Sequence, residues 1–122
     1  MPIEPSSSDV ERFRAGDTGR PFVLVQLLRF NEGGRARYLE YSAAVQPILR
    51  STGAQIVYGG ECVAPLLAGE GQAWDGIVCV RYPSRAAYLD MQDNPAYRAI
   101  VNLRSAALRD LVLLPMDDWP GR

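Results

Sequence analysis

The 122-residue chain contains no histidine and no lysine; all 13 of its basic residues are arginine. That removes the commonest general base, the usual haem and zinc ligand, the Schiff-base amine and the phosphate-loop lysine together. Proton transfer is left to Asp, Glu, Tyr, Cys or the chain's own amine. Arginine stays protonated, so it binds anions but is a poor base. An excess of one charge is missing too: 13 basic and 14 acidic residues leave −1, with no electrostatic footprint for nucleic acid or an anionic membrane. No apolar run approaches the roughly 18 residues of a membrane span. The opening MPIEPSSSDVER lacks the basic and apolar regions of a signal peptide, so a cytoplasmic protein is expected. Cysteine is scarce. Cys62 and Cys79 have no CxxC spacing and lie in apolar segments, as reduced, buried thiols do. A hairpin symmetric about residues 69–71 would set them opposite each other, which makes a cross-strand disulfide conceivable.

What is present suits one domain with a hydrophobic core: 48% apolar and 22% charged residues. Residues 1–20 read as a polar leader, in which Ser8 and Glu11 fit a capping box starting a short helix to about Arg14. The domain proper takes residues 21–116, and 117–122 form a loose tail. FVLVQLLRF (22–30) is nearly continuously apolar, as a buried central strand is. RARYLEYSAAVQPILRS (35–51) puts Tyr38, Tyr41, Val45, Ile48 and Leu49 on one helical face, with Pro47 expected to kink it. AQIVYGGECVAPL (54–66) and AWDGIVCVRY (73–82) are two strands joined by AGEGQ. A helix in RAAYLDMQ, another in AYRAIVNLRSAAL (96–108) and a short strand at 111–114, closed by Pro115, complete the chain.

The order is β-α-β-β-α-β. An internal echo supports it: Arg35-Ala36-Arg37-Tyr38-Leu39-Glu40 is answered by Arg85-Ala86-Ala87-Tyr88-Leu89-Asp90, each after an Arg-aromatic pair ending a strand. This pattern predicts an α+β fold, a ferredoxin-like βαββαβ sheet with helices on one face. The first and third strands are expected side by side and parallel in its centre. Both are apolar on both faces, so the sheet face without helices needs a cover. A homodimer is expected, two sheets packing into a dimeric α+β barrel.

QLLRF (26–30), YLEYSAAV (38–45), WD followed by VRYPSRAAYLDM (74–91), Tyr97 and LRSAAL (103–108) carry a resemblance. From roughly Ile3 to Pro115 the chain resembles an uncharacterised bacterial family of the dimeric α+β barrel superfamily. That superfamily includes cofactor-free monooxygenases, lactone isomerases, polyketide cyclases and haem-degrading enzymes, so the resemblance implies fold and dimerisation more than chemistry. Haem relatives typically ligate iron through histidine, which this chain lacks.

Candidate site residues are polar groups in apolar surroundings. Alternation along the third strand puts Asp75 and Arg81 on one face, Trp74 and Tyr82 on the other. Asp75 and Arg81 stand roughly 20 Å apart along the strand and cannot pair directly. Asp75 either caps a turn, pairs with an arginine, or serves as a general base of raised pKa beside Trp74. Arg81 and Arg29, expected at the same end of parallel strands, either bind a carboxylate or enolate together or pair with Glu32, Glu40 or Asp90. Gln26 is an amide in the middle of a central strand; its partners are Tyr41, Tyr58 or a ligand. Arg104 is the cation expected to enter a pocket between sheet and helices, unless it is simply salt-bridged.

Two functions fit these residues, and the resemblance tilts toward the first. One is a cofactor-independent isomerase, cyclase or monooxygenase acting on an apolar, oxygenated small molecule. Gln26, Tyr41 and Tyr58 would orient the substrate, Arg81 or Arg104 would steady an oxyanion, and Asp75 would move the proton. The other is a non-catalytic homodimer that binds a metabolite or a protein. Neither needs a metal, nucleic acid or a membrane.

Overall fold

The computed structural model describes residues 3–121; residues 1, 2 and 122, the ends of the expected leader and tail, lie outside the described residues. Helix α1 (Ser7–Ala15) is capped by Ser6, whose hydroxyl accepts the Asp9 amide (3.1 Å) while the Asp9 carboxylate accepts the Ser6 amide (2.9 Å). The capping box therefore starts two residues before the expected Ser8. Ser6-x-x-Asp9 offers the same reciprocal chemistry directly after Pro5.

Strand β1 (Phe22–Phe30) leads into α2 (Gly34–Thr52), which runs unbroken through Pro47. Pro47 and Ala43 both face outward, so water can take the carbonyl that loses its donor. Strands β2 (Gln55–Glu61) and β3 (Gly76–Tyr82) follow, then α3 (Arg85–Asp93), α4 (Pro95–Arg98) and α5 (Val101–Ala107). The final strand β4 (Leu108–Met116) is longer than expected and includes Pro115. As an outer strand of the order β2-β3-β1-β4, it can carry a proline without breaking an inner ladder.

The fold is the expected α+β, ferredoxin-like arrangement, but β1 and β3 run antiparallel, from Phe22↔Tyr82 to Leu28↔Gly76. The physical reason is topological. The helical crossover returns β2 parallel to β1, and the β2–β3 pairing then reverses direction. The β2–β3 ladder runs from Gln55↔Arg81 to Glu61↔Gly76, so the hairpin is not symmetric about 69–71 and Tyr58, not Cys62, stands opposite Cys79; both cysteines are free thiols.

The sheet has two unlike faces. Phe22, Leu24, Leu28, Val80 and Tyr82 are buried under Tyr38, Tyr41, Val45 and Leu49 of α2 and Tyr88 and Leu89 of α3. The opposite face carries Val25, Leu27, Ile77, Cys79, Val112 and Leu114, and among the described residues no helix or strand lies over it. The helix layer is tightest where α2 begins. A Cβ on Gly34 would lie 3.0 Å from the Ala107 carbonyl carbon, nearer still to its oxygen, and 3.2 Å from Phe30 Cβ.

Candidate functional site

Helical spacing brings Tyr38 and Tyr41 onto the inner face of α2, and Asn94 caps the short turn that presents Tyr97. Their rings meet edge to face or tilted, Tyr38–Tyr41 at 5.6 Å and Tyr41–Tyr97 at 6.5 Å between centroids. The Tyr41 hydroxyl donates to Tyr97 at 3.2 Å. Arg104 of α5 enters this group and is only 4% exposed. Its Nη2 donates to Glu4 Oε1 at 3.0 Å. Burial works against the guanidinium charge, but Tyr97, Tyr41 and Glu4 outweigh it and hold Arg104 above its ordinary value. It is a fixed cation.

Burial pushes the Tyr38 and Tyr88 hydroxyls up to about 12, and Tyr41 and Tyr82 higher. The phenols therefore stay neutral when folded at a pH where an unfolded chain would ionise them. The stability they confer is complete below pH 10 and is lost as the pH rises through about 12. Unfolding midpoints measured from pH 8 to 12 should be level at first and then fall steeply. A Tyr38→Phe, Tyr88→Phe double variant should flatten that fall.

Beside this cluster lies a cavity of about 510 Å³ between the leader, α1, α3 and the β1–β4 side of the sheet. Leu24, Leu111, Leu113, Phe13 and Leu89 give it apolar walls; Glu4, Asp9, Arg12 and Arg85 supply charge. Arg85 fastens α1 to α3, donating to the Phe13 carbonyl (2.9 Å) with its guanidinium 4.9 Å from the Phe13 ring centre.

The residues chosen from sequence fall into five places. Gln26 lies on the helix face, paired with Val78 and Leu113, and lines a void of about 20 Å³ with Tyr38, Tyr41 and Tyr82. That void has room for little more than one water. Tyr58 lies on the other face and is 62% exposed. Arg29 stacks on Trp74 at 3.9 Å, pairs with Asp110 and donates to the Ala73 carbonyl (3.0 Å). Beside it, the Asp75 carboxylate accepts the Phe30 amide at 2.8 Å. Arg81 is at the far end of the sheet, opposite Val23 and 3.6 Å from Asp118. The antiparallel pairing is what separates Arg81 from Arg29. Only Arg104 reaches the cavity's edge, through Glu4. Glu4 and the leader wall were not legible, because a short polar segment gives no periodicity to read. Among the described residues no cluster of acidic or cysteine side chains could hold a metal ion.

A family model described as a domain of unknown function, DUF1330, matches residues 24–116. The chain belongs to this family. The matched region thus holds α2–α5, Arg104 and the sheet from Leu24 onward, while Glu4 and α1 stand before it. The chain is similar to RPA0582, a protein of unknown function from Rhodopseudomonas palustris: 27% identical over 96% of each chain, TM-score 0.86. The methylated form of that protein gives 28% identity over 99% of this chain and 98% of that one, TM-score 0.88. A dimeric, ferredoxin-like protein of unknown function from Bacteroides fragilis shares the fold at 10% identity, covering 83% of this chain and 98% of its own, TM-score 0.59. No curated protein matches this DUF1330 chain.

Proposed function

We propose that this protein is a homodimer that takes up a small, apolar, oxygenated molecule in the cavity under its leader, without a metal or organic cofactor. One observation carries the ligand: a buried arginine among buried tyrosines, next to an apolar-walled space of small-molecule size. A core packed for stability alone has little use for either. The homodimer is supported by the uncovered apolar sheet face and by the dimeric state of the Bacteroides fragilis relative.

Binding without turnover fits the geometry best. A cofactor-independent isomerase, cyclase or monooxygenase would keep Asp75 as base and Arg81 as oxyanion partner. Asp75 would first have to release the Phe30 amide, and neither residue lines the cavity. Thermal-shift screening of aromatic alcohols, lactones and acids tests the binding site. Leu113→Trp, which fills the cavity, should abolish every shift that the wild type shows. Shifts that survive in Leu113→Trp place the ligand elsewhere and sink the proposal. Turnover of a bound compound that Asp75→Asn abolishes would restore the enzyme reading.

A further inference from the structure

A buried guanidinium needs a counter-charge, and Arg104 receives one from the leader, ahead of the matched family region. Among the described residues Glu4 is the carboxylate that pairs with it, at 3.0 Å; the other titratable groups that act on it are phenols. The Glu4 side chain is itself 56% exposed while that of Arg104 is 5% exposed. One partner is locked in place and the other is half in water. Glu4 also lines the cavity, between Ile3 and Pro5. It stands ahead of the Ser6 cap, so its carboxylate can swing away without unwinding α1.

We infer that Glu4 occupies the seat of a ligand carboxylate, and that the cavity takes a small apolar carboxylic acid. This rests on the cavity being the binding site. The ligand's carboxylate replaces Glu4 on Arg104, and its apolar part lies against Leu24, Leu111, Leu113 and Phe13. Exchanging one carboxylate for another keeps the buried cation paired throughout, whereas a neutral ligand in that seat would strand it.

Calorimetric titration with phenylacetate, cinnamate and octanoate, and with their primary amides, tests the inference on full-length protein. Glu4→Gln removes the internal competitor and should bind the acids at least tenfold more tightly than wild type. Glu4→Asp, a shorter competitor, should fall between them. Arg104→Gln should lose at least tenfold for the acids, and Arg104→Lys should recover part of it. The amides should not respond to Glu4. Acids bound no better by Glu4→Gln and Glu4→Asp, or amides tightened equally, overturn the inference. If acids and amides bind all variants alike yet fail with Leu113→Trp, the cavity stands and the carboxylate seat falls. If none binds any variant, both fall.

Discussion

Gly34→Ala should destabilise the fold by about 3 kcal/mol or more, the upper range for forcing extra volume into a packed site. Helix propensity alone predicts the opposite sign, since alanine in place of glycine favours a helix by roughly 1 kcal/mol. Sterics win because the obstacle is backbone. The added methyl would run into the Ala107 carbonyl, and Ala107 is fully buried. That carbonyl cannot turn aside, because it accepts the Asn31 amide at 2.8 Å, and Asn31 Nδ2 holds the neighbouring Ala106 carbonyl at 3.1 Å. Urea unfolding monitored by circular dichroism measures the loss. Gly59→Ala, which meets nothing within 4 Å, is the control and should change little. A Gly34→Ala midpoint equal to wild type would show that α2 and α5 can part freely.

Leu27→Asp should convert the protein to monomers with the fold intact. Leu27 sits mid-sheet on the uncovered face, paired with Ile77 on one side and Val112 on the other. If a second copy covers that face, the substitution buries an unpaired carboxylate from each subunit. A cost of several kcal/mol per ion is expected, enough to raise the dimer dissociation constant more than a thousandfold. The core under the helices is untouched, so far-ultraviolet circular dichroism should not change. Sedimentation velocity at micromolar concentration distinguishes the outcomes. A wild type that already sediments as a monomer would overturn the homodimer.

The element order was legible because each segment carries its own period: alternation or continuous apolarity in strands, three-to-four spacing in helices. Strand direction was a different matter. It follows from combining the crossover helix with the β2–β3 hairpin, both read from the sequence, and that combination makes β1 and β3 antiparallel; the parallel expectation was an error of topology. The consequence reached the site, because parallel strands would have joined Arg29 to Arg81. Asp75 and Arg29 stood out correctly as polar groups bordering apolar strands. Their partners, Phe30 and Asp110, lie 45 and 81 residues away in the chain, beyond any local reading. Arg104 was accessible because helical spacing in 96–108 sets it near Tyr97 and Ile100, although the structure divides that stretch between α4 and α5. Its carboxylate came from a hundred residues upstream and was not.

The two rims of the sheet have a further consequence. Strand β4 carries Pro115, which has no amide to offer a newcomer, and β2 is bulged at Val57 where the ladder skips a residue. Both are poor templates for another strand laid alongside. A chain with an apolar sheet face open to water is thereby kept from lengthening sideways into a fibre. The proposed dimer meets face on, a mode of association that is complete after two copies and leaves nothing for a third to grip.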